Sequence, residues 1–191
     1  VNPYWRFRRT GFRVADPRRP YVVVSNHESF ADILLISHLP FEMKWLSKVE
    51  ILKIPLIGWM MRMAGDIPIK RGFGPSAVEA MERCRASLRN RVSVIFFPEG
   101  TRSVDGNMLP FKDGAFRLAI EAGVPILPLA VAGTRTALPK HDWRFNPARA
   151  VVEVLLPIET AGLTLEDLPQ LKERVRATIQ AARDALRAQL A

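Results

Sequence analysis

Short β-branched runs alternate along the chain with longer stretches whose apolar residues return every three or four positions, and this alternation predicts the elements. Tyr21–Ser25 and Val92–Phe97 read as buried strands, because each is a brief, nearly unbroken apolar run. Lys44–Ser47, Asp66–Lys70, Pro125–Ala132 and Ala150–Leu156 supply four more. Ser29-Phe-Ala-Asp32, followed by Ile33, Leu34, Ile36 and Leu39, predicts a capped helix that ends before Pro40. Pro75–Asn90 predicts an amphipathic helix with Ala77, Met81, Cys84 and Leu88 on one face, and Gly114–Ala122 a helix stopped at Gly123. A last helix, Asp167 to Leu190, places Leu171, Val175, Thr178, Ala182, Leu186 and Leu190 along one stripe. Ile51–Met63 is dense in Ile, Leu, Met and Trp but too short to cross a bilayer. It reads either as a buried helix, or as an acyl slot or interfacial segment in which Leu56, Ile57, Trp59, Met60 and Met63 meet lipid and Lys53 and Arg62 meet headgroups.

Strands alternating with helices predict the α/β class: a single domain with a central, mostly parallel or mixed sheet flanked by helices. A length of 191 residues, 48% of them hydrophobic, suits one domain with a real core and excludes disorder. With Gly at 11, Pro at 15 and Cys at 1, collagen-like and disulfide-stapled folds are excluded too. Cys84, on the core-facing stripe, reads as a packing residue.

Charge adds a partner. Lys and Arg number 28 against 19 Asp and Glu, a net +9 that points to an anionic surface or substrate. Residues 1–20 hold six arginines and one acid, with Tyr4, Trp5, Phe7 and Phe12 interleaved. They read as a basic aromatic N-terminal arm ahead of a domain at 21–191. Guanidinium groups beside rings suit a lipid headgroup boundary or single-stranded nucleic acid; a solvated arm or an N-terminal edge strand is the plainer alternative. The chain begins at Val1, so the expected placement is peripheral at the cytoplasmic face of a membrane, or anchored by a segment upstream of residue 1.

The polar residues with chemistry cluster just after strands: Asn26-His27-Glu28, Arg71-Gly72, and Pro98-Glu99-Gly100-Thr101-Arg102. If the strands are parallel, these loops open at one edge of the sheet, where open α/β sheets bind ligands. A carboxylate five residues after His27, carried in the first helical turn, can accept Nδ1–H and leave Nε2 as a base. No Gly-x-Ser-x-Gly elbow supplies a nucleophile, so such a base would activate a hydroxyl of the substrate. The alternative is that Ser29 and Asp32 form a capping box and His27 only satisfies its loop. His38 and His141 stand at no ligand spacing with His27, and no metal or other cofactor is expected. Arg71 and Arg102 suit an anion, because a guanidinium fork matches phosphate oxygens in pairs. Gly100 and Thr101 let the backbone and a hydroxyl approach the same group, while Glu99 would orient the arginines or bond a polyol hydroxyl. Lys70 points to the opposite face if its strand continues.

With these residues in view, the sequence resembles the lysophospholipid acyltransferase family, of the 1-acylglycerol-3-phosphate O-acyltransferase kind, from about Gly11 to Pro157. Asn-His-Glu-Ser-Phe-Ala-Asp at 26–32 matches its His-four-residues-Asp motif. Residues 53–72 resemble its second block, Phe-Phe-Pro-Glu-Gly-Thr-Arg-Ser at 96–103 its third, and 123–134 its fourth, in family order and spacing. The resemblance implies a glycerolphosphate acyltransferase-like fold and a reaction in which His27, oriented by Asp32, activates the free glycerol hydroxyl of lysophosphatidic acid. That hydroxyl would attack an acyl thioester of coenzyme A or acyl-carrier protein, each entering as acyl-donor substrate, and give phosphatidic acid for phospholipid biosynthesis. In the family pattern Arg71, Glu99, Gly100 and Arg102 hold the acceptor's phosphate and glycerol, and Pro128 belongs to a block tied to donor binding or to structure. With Trp59 and Met60, Pro128 is the candidate for acyl-chain or donor contact. Lys70 departs from the family, where that position is frequently Asp. The implied partners are a lysophospholipid, the acyl donor and a membrane surface, with no nucleic acid. The rivals are another lysophospholipid or an aminolipid as acceptor, and a non-catalytic nucleic-acid binder acting through the arginine-rich arm.

Overall fold

In the computed structural model, which describes residues 4–70, 72, 74–103, 106–138, 144 and 146–190, seven strands make one mixed sheet. They are β1 (Trp5–Gly11), β2 (Val22–Ser25), β3 (Met43–Lys48), β4 (Ile67–Ile69), β5 (Ser93–Phe96), β6 (Ile126–Ala132) and β7 (Ala148–Val154), ordered β1-β7-β6-β2-β5-β3-β4. The helices are α1 (Ala31–Ile36), α2 (Ile57–Ala64), α3 (Gly74–Arg89), α4 (Gly114–Ala122), α5 (Thr134–Ala137) and α6 (Leu168–Leu190). The central strands are buried on both faces, which is why they read as unbroken apolar runs. Within β2, Val22 and Val24 pack on one side with Cys84 of α3, Phe116 of α4 and Val175 and Ile179 of α6. Val23 packs on the other with Leu35 and Ile36 of α1.

Every neighbouring pair is parallel except β6 with β7. The C-terminal ends of β2 to β6 therefore share one edge with the N-terminal ends of β7 and β1. Residues 1–20 include β1, which pairs with β7 from Trp5 opposite Ala148 to Gly11 opposite Val154, so the edge-strand reading of this segment is the one the fold takes. Phe7 faces the core.

Four expectations change. Ile51–Met63 is not a buried helix: a 3-10 turn at Val49–Lys53 leads into α2, where Gly58 is the buried position. A Cβ on Gly58 would fall 2.1 Å from the Leu52 carbonyl oxygen, so only glycine lets α2 lie this close to the preceding turn. Leu56, Trp59, Met60 and Met63 are left exposed. The first helix ends at Ile36, where the Ser37 side chain bonds back to the Ile33 carbonyl and hydrogen-bonded turns carry the chain to Leu39. In α3 the buried residue of the first turns is Ala80 rather than Ala77. In α6 the fully buried stripe runs through Ile179 and Arg183; Ala182 packs against the core while partly buried, and Thr178 is only half-buried. Arg183 is tolerated there because its guanidinium donates to Asp184 and to the Gly106 carbonyl.

Candidate functional site

β2 ends at Ser25, and the next side chain continues its pairing. Asn26 Nδ2 donates to the Val131 carbonyl at 2.9 Å, and the Val131 amide donates to Asn26 Oδ1 at 2.8 Å. The backbone is thus free to turn at the sheet edge, and His27 stands on that turn. Its Nδ1 lies 2.8 Å from Asp32 Oδ2, and Asp32 has no exposed surface. The same oxygen accepts the amides of Glu28 at 2.8 Å and Ser29 at 3.0 Å, while Oδ1 accepts the hydroxyl of Thr134. A carboxylate oxygen can only accept, so the hydrogen of this contact sits on His27 Nδ1, which leaves Nε2 of the neutral ring with its lone pair. The imidazole stacks on Phe97 with centroids 4.0 Å apart and planes 15° apart, and Trp45 backs Phe97 at 5.9 Å.

The capping box does not form: the N-cap of α1 is Phe30, which makes no side-chain cap bond, and the Asp32 amide donates to the Ser29 backbone carbonyl instead of its hydroxyl. Ser29 Oγ accepts the Ala31 amide, and Asp32 accepts the Ser29 amide on the same carboxylate oxygen that holds His27. Thr134, which the sequence did not single out, follows Gly133 at the end of β6. Gly133 has φ +88°, and a Cβ there would lie 2.1 Å from the Arg149 carbonyl, so glycine is needed to turn the chain and aim Thr134 at Asp32. The signal was a small pair after a strand whose partner is 102 residues away, which no local pattern exposes.

Glu99 is brought to the site but not as expected. It is buried, with Oε1 accepting the His27 amide at 2.8 Å and Oε2 the Leu109 amide at 2.9 Å. It braces the His27 turn from behind, and among the described residues its carboxylate bonds backbone amides and no arginine. Burial pushes its pKa up, and those two amides oppose the shift. Gly100 turns the loop at φ +75°, Thr101 is exposed, and Arg102, half-buried, has no hydrogen-bonded or ionic partner among the described residues. Ser103 closes the loop onto the His27 carbonyl at 3.1 Å. Arg71 and His141 lie outside the described residues; Lys70 is exposed. Pro128 is buried in β6 opposite Val24, which is the structural one of its two readings. Trp59 and Met60 are solvent-facing on α2, which follows β3 from the same sheet edge.

α6 adds a brace that the sequence reading missed. Arg187 donates to the buried Glu28 carboxylate at 2.6 Å and to the Gly106 carbonyl at 2.8 Å. Burial raises the Glu28 pKa and Arg187 opposes that. Cys84, in the core, has its thiol pushed up to about 12 by burial and stays unreactive. His38 bonds the Leu34 carbonyl, and among the described residues no three His, Cys, Asp or Glu side chains gather as metal ligands.

An acyltransferase family model matches residues 6–132, a span that takes in the His27 turn, the Glu99–Arg102 loop and β6. A chloroplastic 1-acyl-sn-glycerol-3-phosphate acyltransferase of Brassica napus is 47% identical over 120 residues, which are 63% of this chain and 35% of that protein. The human 1-acyl-sn-glycerol-3-phosphate acyltransferase alpha is 42% identical over 162 residues, 84% of this chain and 57% of its own. The crystal structure of the 1-acyl-sn-glycerophosphate acyltransferase PlsC from Thermotoga maritima superposes with a TM-score of 0.78 at 30% identity, covering 94% of this chain and 72% of that one. The chain spans between a third and three fifths of the length of these two curated relatives. A shared fold, and a family match running through the segments that build the His27 site, place the chain in the acyltransferase family.

Proposed function

We propose that this chain transfers a fatty acyl group from a thioester to the free glycerol hydroxyl of lysophosphatidic acid, giving phosphatidic acid. The observation that carries the reading is the pair of His27 Nδ1 and a fully buried Asp32 at 2.8 Å, in a chain similar to proteins named for this reaction. His27 Nε2 takes the proton of the acceptor hydroxyl as its oxygen bonds to the thioester carbon, and Asp32 stabilises the imidazolium that results. The tetrahedral oxyanion collapses, the carbon–sulfur bond breaks, and the imidazolium returns the proton to the departing thiolate. Arg102 holds the acceptor phosphate, and Thr101 and the backbone at Gly100 line its approach. Arg71 is assigned to the same phosphate on the family pattern.

The product and one substrate are lipids, and α2 is the element by which the protein meets them. Leu56, Trp59, Met60 and Met63 are 57–69% exposed on it, with Lys53 and Arg62 exposed beside them, a composition suited to the headgroup boundary of an anionic leaflet. No described helix is long and apolar enough to cross a membrane.

The test is thiol release from an acyl thioester in the presence of lysophosphatidic acid. His27→Ala is expected to lose about 10²–10⁴ in kcat. Turnover retained within a few-fold in that variant refutes the assignment of the base. Lysophospholipid acceptors lacking a phosphomonoester, assayed beside it, read the acceptor class.

A further inference from the structure

Arg183 and Arg187, one buried and one half-buried, stand four residues apart on α6 and take no part in the chemistry above. Both reach one backbone oxygen: Arg183 Nη1 donates to the Gly106 carbonyl at 3.2 Å, and Arg187 Nη2 to the same carbonyl at 2.8 Å. Like charges at that helical spacing repel, so the pair needs acceptors to hold it. Asp184 Oδ1 accepts two further donors of Arg183, at 2.9 and 2.7 Å, and Arg187 Nη2 also donates to Glu28 at 2.6 Å. Gly106 itself has φ +89°, a left-handed turn that glycine makes without strain.

These contacts end on both halves of the site. On one side, the Gly106 amide donates to Ser103 Oγ at 2.8 Å, and the Ser103 amide donates to the His27 carbonyl at 3.1 Å. Ser103 follows Arg102, so this segment carries the cation assigned to the acceptor phosphate. On the other side, Glu28 follows His27, is buried, and gives its own amide to Asp32 Oδ2. α6 therefore ties the turn that bears the base to the loop that bears the phosphate site. Leu171, Val175 and Ile179 fix the same helix in the core, which makes it a rigid support for the tie. Both arginines lie beyond residues 6–132, the stretch matched by the family model.

We propose that Arg187, supported by Arg183, is a positioning residue for acyl transfer: it sets the separation between His27 and Arg102, and with it the approach of the acceptor hydroxyl to Nε2. The inference rests on the acyl-transfer reading. Arg187 acts through Glu28 and Gly106, and Arg102 is still present when it is removed. Its loss therefore misplaces a bound hydroxyl and leaves the hold on the phosphate in place. A misplacement of about 1 Å costs up to about 10² in rate.

The test combines steady-state kinetics of the full chain with thermal unfolding and with hydrogen exchange of peptides covering residues 26–32 and 99–106. Arg187→Met is expected to lower kcat about tenfold or more with the acceptor KM within about twofold of wild type, and Arg187→Lys, which keeps the charge but not the fork, to recover part of kcat. Glu28→Gln/Arg187→Met leaves no unpaired buried carboxylate, so it carries the measurement if the single variant unfolds. Its kcat should match that of Arg187→Met, because both changes break one link. Leu171→Ala truncates the core face of α6 roughly 24 Å along the helix from Arg187, and should lower Tm while keeping wild-type kcat below its melting range. Wild-type kcat in the folded Arg187 variants overturns the proposal, as does an equal loss of kcat in Leu171→Ala, which makes the effect one of stability. A raised acceptor KM with kcat unchanged also overturns it and gives Arg187 to the substrate directly. Absence of acyl transfer by the wild type sinks the acyl-transfer reading instead. Exchange needs no turnover: faster exchange of both peptides in Arg187→Met supports the tie, and unchanged exchange removes it.

Discussion

Replacing Thr134 by valine removes a hydroxyl and little volume from a site with no solvent. In the folded protein that hydroxyl donates to Asp32 Oδ1, while Oδ2 keeps its three donors, His27 Nδ1, Glu28 N and Ser29 N. Thr134 and Asp32 are both fully buried, so no water takes the place of the lost donor. A hydrogen bond to a charged acceptor contributes about 1.5–3 kcal/mol. In a domain of this size each kcal/mol moves Tm by roughly 2–4 °C, so Thr134→Val is expected to melt about 3–12 °C below wild type. Because the His27 contact is on the other oxygen, kcat should fall far less than in His27→Ala. Thr134→Ser restores the donor and should recover most of the loss. The assay is thermal unfolding by circular dichroism with kcat measured on the same preparations. A valine variant melting within about 1 °C of wild type would falsify the view that this hydroxyl satisfies the buried carboxylate.

Glu99→Gln and Arg102→Ala separate bracing from binding. An amide cannot accept both the His27 and Leu109 backbone donors, so Glu99→Gln should lower kcat with the acceptor KM nearly unchanged, whereas Arg102→Ala should raise the acceptor KM more than the donor KM. A raised acceptor KM in Glu99→Gln would return that carboxylate to the substrate. Asp66 is buried beside Trp45, and desolvation raises its pKa above the ordinary 3.8 despite the Trp45 amide and Lys44. The folded state therefore holds the proton more tightly than the unfolded one. The stability this contributes is complete below the unfolded value and is lost as pH rises through the folded one. Asp66→Asn lacks that loss, so its Tm relative to wild type should climb as pH rises out of the carboxylate range; a difference that stays flat with pH disproves the burial cause. Trp59→Ser and Met63→Ser should each weaken binding to anionic vesicles by about tenfold with Tm unchanged, since both side chains face solvent. Full vesicle binding in both variants would remove α2 from the membrane contact.

The strands and long helices were legible because burial on both faces of a sheet leaves unbroken apolar runs, and burial on one face of a helix leaves a period near 3.6. Gly114–Ala122 with its stop at Gly123 coincides with α4, whose C-terminal cap is Gly123 in the left-handed region. Local pattern failed where a long-range contact overrode it. Arg183 occupies a core position of α6 because the Gly106 carbonyl and Asp184 meet its charge. The Ile51–Met63 run looks buried by composition, yet Leu56, Trp59, Met60 and Met63 are exposed, because a dense apolar run does not by itself say which of its faces packs on the protein.

The His27–Asp32 pair was present in the sequence as a spacing of five residues across a turn and a helix start, short enough for local geometry to determine that the two groups meet. What holds them belongs to the tertiary structure alone. Thr134 arrives from β6, Glu99 from the β5 loop, Arg187 from α6, and each reaches the turn only because the sheet order sets those chain ends along one edge. The arginines that line the cavities beside β1 and β7, Arg6, Arg135, Arg149 and Arg187, come together for the same reason. Their charges are scattered from Arg6 to Arg187 in sequence, and they converge because β7 runs antiparallel to β6 and carries β1 with it, which brings the starts of those two strands beside the ends of the others.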